Sequence, residues 1–142
     1  MAIRVHYTNV KFQISGSAQV KNWLIAAAFN EGCYIEQLQY FFIDDESQRQ
    51  INSEFLEHDY NTDVITFDNS NEKSVSGDIY IAIETVKRNS VSYKTSFRQE
   101  YLRVMIHGLL HLMGYNDETE REIIKMRARE DYYLRRMKDG KY

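Results

Sequence analysis

Apolar and polar positions along this chain recur with two different periods, and the change of period separates strands from helices. Ile3 to Tyr7 and Lys11 to Ile14 alternate around the turn residues Thr8-Asn9 and predict short strands. Ile35 to Ile43, Val64 to Phe67 and Ile79 to Ile83 predict three more, with Asp68 to Gly77 as a polar loop between the last two. Helical spacing governs the rest. Ser17 can cap a helix to about Glu31 that places Val20, Trp23, Leu24, Ala27 and Ala28 on one face, with Gly32 as its stop. Asp44 to His58 predicts a second helix bearing Ile51, Phe55 and Leu56, and a third runs from Ile83 or Glu84 to about Asn89.

The helix predicted over Phe97 to Met113 differs from the others. Apolar side chains surround it almost completely, from Tyr101 and Leu102 through Met105 and Leu109 to Met113, so it should be central and buried. Its single polar lane is Arg103, His107 and His111. A last helix, Thr119 to Met137, is amphipathic through Ile123, Ile124, Met126, Tyr133 and Leu134. Strands in the first half with helices on both sides predict an α+β fold: a small mixed β-sheet flanked by helices, with a buried central helix carrying the histidines. The 142 residues suit one domain, 1–142.

Composition changes this picture little, charge somewhat more. Seven Phe, 11 Tyr and one Trp can anchor the core. There is no proline, so turns rely on Gly, Asn and Asp. Residues 1–86 carry 5 basic and 13 acidic side chains, whereas residues 87–142 carry 13 basic and 8 acidic. A basic face that meets a polyanion is one reading; two solvated helices with mixed charges is the other. No apolar run has the length of a membrane span, and the N-terminus lacks the apolar core of a signal peptide. Cys33, the only cysteine, excludes an internal disulfide and fits a reducing cytoplasm; it reads as a structural thiol rather than a nucleophile.

The chemistry concentrates in His107-Gly108-Leu109-Leu110-His111-Leu112-Met113-Gly114-Tyr115-Asn116-Asp117. Residues i and i+4 share a helix face, so both imidazoles can point at one spot. Gly114 permits a left-handed turn, and the returning chain can bring Asp117 to the pair. Three such donors would leave a coordination position open, the layout of a catalytic metal site. Two hydrogen-bonded core histidines are the plainer reading. Asp117 could instead serve the start of the final helix, although Thr119 with Glu122 already fits a capping box there; Glu118 is then the fallback donor. A His-Glu-x-x-His protease would carry its general base where this chain has Gly108, which disfavours a metalloprotease.

At these residues the chain resembles the YbeY family, the metal-dependent endoribonucleases of bacterial rRNA maturation, with the signature His-Gly-x-x-His-Leu-x-Gly-Tyr-Asp-His. His107, Gly108, His111, Leu112, Gly114 and Tyr115 match it in register. Asn61-Thr62-Asp63-Val64-Ile65-Thr66-Phe67 is similar to the family's Pro-Thr-Asp-Val-Leu-Ser-Phe, and Gly77-Asp78-Ile79 to its Gly-Asp-Ile. The resemblance implies His107 and His111 as metal ligands and Asp117 in the place of the third histidine. It implies no catalytic arginine, since Leu56 aligns with the family's Arg; His58 and Arg103 are the candidate substitutes. A His, His, carboxylate set serves zinc in hydrolases and iron(II) in oxygenases, and the resemblance favours one Zn2+. The carboxylate should also weaken Lewis acidity relative to a third imidazole. Lys87, Arg88, Lys94, Arg98 and Arg103 are then the candidates for gripping the RNA backbone. Single-stranded rRNA, the small ribosomal subunit or its assembly proteins are the implied partners, in the cytoplasm. A non-catalytic ribosome-assembly factor with a structural metal is the rival.

Overall fold

Residues 2–56 and 62–142 are described by a computed structural model, so the candidate His58 and Asn61 lie outside the described residues. Strand β1 (Ala2–Thr8) is followed by α1 (Ser17–Asn30), β2 (Tyr34–Ile43), α2 (Asp45–Leu56), β3 (Val64–Asp68) and β4 (Ser74–Ala82). Three helices complete the chain: α3 (Ile83–Ser92), α4 (Phe97–Leu112) and α5 (Glu120–Asp139). The strands form one mixed sheet in the order β1-β2-β4-β3. β1, β2 and β4 run parallel, and β3 pairs antiparallel with β4, Ile65 opposite Tyr80 and Phe67 opposite Asp78. This is the expected α+β architecture, with α4 at its centre against α1, α3, α5 and the sheet.

The burial pattern follows the periods in the sequence. Val20, Trp23, Leu24, Ala27 and Ala28 are the buried face of α1, and Leu38, Tyr40 and Phe42 alternate inward from β2. From α4, Tyr101, Leu102, Val104 to Ile106, Leu109, Leu110 and Leu112 are all buried, leaving Arg103, His107 and His111 as its half-buried lane. Gly108 lets this helix lie close on the sheet. A Cβ there would sit 2.9 Å from two carbons of Ile79, nearer than carbon atoms pack.

Four expectations about elements fail. Lys11 to Ile14 forms no strand, because its backbone bonds to side chains: the Ile14 amide donates to the Tyr7 hydroxyl and the Ser15 amide to that of Tyr101. Its alternation serves packing instead, with Phe12 among the rings of Tyr7, Phe42, Phe97 and Tyr101. β4 begins at Ser74, so much of the expected polar loop is strand; small Ser and Gly alternating with Val75 hid the period of two. Ser17 is the first residue of α1 rather than its cap, which is Gly16 in a left-handed conformation. On α5, Ile123 and Ile124 are exposed, and the buried row is Met126, Glu130, Tyr133 and Met137.

Candidate metal centre

The donors converge because one helix ends and another is capped without their help. At the end of α4, Gly114 takes a φ of 99° and the Tyr115 amide reaches back to the Leu110 carbonyl. The Tyr115 hydroxyl donates to Glu31 Oε1 at 2.7 Å, which ties the return loop to the end of α1. α5 starts with a full capping box: Thr119 accepts from the Glu122 amide, and Glu122 accepts from the Thr119 amide. Thr119 therefore does the capping, and Asp117 turns to the histidines. Its Oδ2 lies 3.4 Å from His107 Nε2 and 3.4 Å from His111 Nε2.

The ligand atoms of His107, His111 and Asp117 all lie within 4.8 Å of one another. A tetrahedral ion with metal–ligand bonds of about 2.05 Å has donors about 3.3 Å apart. The two nitrogen–oxygen separations match that edge, and the imidazole and carboxylate donors suit a borderline divalent cation. The residues present fit a metal with three protein ligands.

Three further residues, Glu130, Arg103 and Asp131, support His107. His107 Nδ1 lies 2.6 Å from Glu130 Oε2, and Glu130 Oε1 accepts from Arg103 Nη1 at 2.8 Å. Arg103 Nη2 donates to Asp131 Oδ1 at 2.7 Å. Burial works against a charged His107 ring, but the Glu130 hydrogen bond and the charges of Glu130, Asp117 and Asp63 outweigh it and raise its pKa above the ordinary imidazole value. Burial pushes the carboxyl of Asp63 up, with the His107 charge opposing; burial likewise raises Glu100, against Arg103. These groups line a pocket of about 330 Å3 beside the donors, which Arg127 also borders.

Of the five basic residues expected at RNA, three are engaged with the protein itself. Arg88 pairs with Asp45 at 2.6 Å, Arg98 donates to the Ser15 carbonyl at 2.7 Å, and Arg103 holds Glu130 and Asp131. Lys87 stands over the Phe97 ring, and Lys94 is exposed at the turn before α4. Sequence reasoning missed Asp63, Glu100, Arg127 and Glu130 at the pocket. One signal was available: Glu130 interrupts the apolar row Met126, Tyr133, Met137 at helical spacing, where an unpaired carboxylate would be costly. Cys33 is half-buried, and its thiol donates to the Glu31 carbonyl at 3.8 Å.

Comparison with known proteins places the chain in a family. The sequence matches the family described as Endoribonuclease YbeY over residues 4–138. It is 44% identical over 127 residues to the Endoribonuclease YbeY of Cytophaga hutchinsonii, covering 89% of each chain. The protein of that name from Karelsulcia muelleri is 40% identical over 129 residues, with 91% of this chain and 92% of the relative covered. The solution structure of TM1509 from Thermotoga maritima superposes with a TM-score of 0.69 at 26% identity, covering 96% of this chain and 89% of the other. The chain belongs to the YbeY family.

Proposed function

We propose that this protein is a metal-dependent endoribonuclease that cuts single-stranded RNA during rRNA maturation and ribosome assembly in the cytoplasm. His107, His111 and Asp117 hold one divalent ion, zinc being favoured by the family over the iron(II) that the same donor set also serves. The observation that carries this reading is the three-donor group, with Asp117 Oδ2 3.4 Å from both imidazole nitrogens, beside a pocket, in a chain of the YbeY family. Three protein donors leave room for a water or a substrate oxygen, as in catalytic rather than structural zinc sites. A bound divalent ion supplies Lewis acidity toward a phosphoryl oxygen and lowers the pKa of water.

The chain's own residues do the rest. His107 and His111 bring neutral nitrogen donors on one helix face, and Asp117 adds a charge that tempers the site. Arg127, at the pocket and largely exposed, has only a loose pairing with Glu130 at 3.9 Å, so it can turn to a phosphate more readily than Arg103, which two carboxylates hold at 2.8 and 2.7 Å. Lys87 and Lys94 extend the contact to the RNA backbone, with Arg88, Arg98 and Arg103 contributing charge at shorter reach. Gly108 speaks against a metalloprotease: the Ile79 contact leaves no room for a side chain where that mechanism has its glutamate.

The test is cleavage of matched single-stranded and duplex RNAs before and after chelation and zinc re-addition. The single strand should be cut, chelation should abolish the cut, and zinc should restore it. RNA affinity should also fall steeply with salt. Cleavage that survives complete metal removal would sink the proposal, and salt-insensitive affinity would sink its RNA-backbone part.

A further inference from the structure

Glu130 lies in the apolar row of α5, its side chain only 5% exposed, and a carboxylate so far from water has to be held by other groups. Its two oxygens are used separately. Oε1 accepts from Arg103 Nη1 at 2.8 Å, and Oε2 lies 2.6 Å from His107 Nδ1. Arg103 is fixed in turn by Asp131 at 2.7 Å, so a chain of contacts runs Asp131–Arg103–Glu130–His107. At its far end the other nitrogen of the same ring, Nε2, faces Asp117 at 3.4 Å.

An ionised carboxylate only accepts hydrogen bonds, so Nδ1 carries a proton, and the neutral ring that binds a metal then keeps its Nε2 lone pair toward the donor group. We propose that Glu130 is a positioning residue for the metal centre: it selects the His107 tautomer, fixes the ring's rotation and makes Nε2 a stronger donor, while Arg103 and Asp131 hold Glu130 in place. This rests on the reading of His107 as a metal ligand. It also gives Arg103 a role other than the missing family arginine's, because its guanidinium is held by Glu130 and Asp131. His111 meets Asp117 through Nε2 at 3.4 Å, but no carboxylate contact to its Nδ1 is seen among the described residues.

The experiment is a zinc titration against a competing chelator for wild type, Glu130→Ala, Glu130→Gln and His111→Ala, with imidazole 15N NMR on the zinc-loaded wild type. Glu130→Ala should weaken zinc binding by about 10- to 100-fold. His111→Ala, which removes a ligand, should lose more. Glu130→Gln, whose amide oxygen can still accept the Nδ1–H bond, should fall between wild type and Glu130→Ala. The NMR spectrum needs no variant: His107 should show a protonated Nδ1 and a coordinated Nε2. Wild-type affinity in a folded Glu130→Ala overturns the proposal while leaving the metal site standing. So does a wild-type spectrum with Nε2 protonated and Nδ1 coordinated. A wild type that takes up no zinc overturns this inference and the functional reading together, and that arm identifies the case.

Discussion

Glu31, packed against α5, and Glu130, on α5 itself, each place a carboxylate where little water reaches it, with side-chain exposures of 12% and 5%. Each pairs with an arginine and at least one further donor. Glu31 accepts from Tyr115, Tyr133 and Arg129, groups that clamp α1 to α5 and to the loop after α4. Glu130 accepts from Arg103 and His107, and the free end of His107 meets Asp117. Burial and charge pairing are the same in both places. What separates a clamp from a site is whether the partner has a second atom aimed at open space.

The comparison can be broken by substitutions that separate metal binding from stability. Asp117→Ala should have the largest effect, weakening zinc binding by more than the roughly 100-fold upper range of supporting residues. Calorimetric titration measures it, and a variant that keeps wild-type affinity would move the third donor elsewhere. Glu31→Ala should do the reverse. Breaking a largely buried charge cluster costs about 3 kcal/mol in denaturant unfolding, with zinc stoichiometry unchanged.

The clamp also predicts a pH dependence. Burial favours the neutral Glu31 carboxyl, but the hydrogen bonds from Tyr133, Tyr115 and Arg129 together outweigh it and lower its pKa below 4.5. The same cluster pushes the Tyr133 hydroxyl up to about 12, burial being the first cause. For a carboxyl with a lowered folded pKa, the stability it adds is present above 4.5 and is lost as pH falls through the folded value. Glu31→Gln should therefore flatten the acid side of the stability profile. An unchanged acid limb would remove Glu31 from the account.

Smaller effects probe the frame. Gly108→Ala places a methyl against Ile79 and should cost about 1–3 kcal/mol by overpacking. Thr119→Ala should cost about 1 kcal/mol through the lost cap, with zinc affinity retained. If Thr119→Ala loses the metal instead, Asp117 depends on the cap more than its geometry implies.

The legible and hidden parts of the molecule divide along the same line. His107 and His111 stood out because two imidazoles share the one polar lane of an otherwise apolar helix. Asp117 followed from the turn at Gly114 and the capping box at Thr119, both local signals. Glu130 could not be assigned to His107 from sequence, since 23 residues and a helix reversal separate them. Asp63 reaches the pocket only through the pairing of β3 with β4, which no local pattern encodes. The same limit hid the start of β4, where serines and a glycine carry a strand that packing, not propensity, selects.

The central claim is that the three-donor group is a metal site and that the site cuts RNA. Zinc content and single-strand RNA cleavage, measured on the same preparations of wild type and His111→Ala, test it most directly. The wild type should hold about one zinc per chain and cleave, and His111→Ala should lose both together. A metal-free His111→Ala that cleaves at the wild-type rate would contradict it.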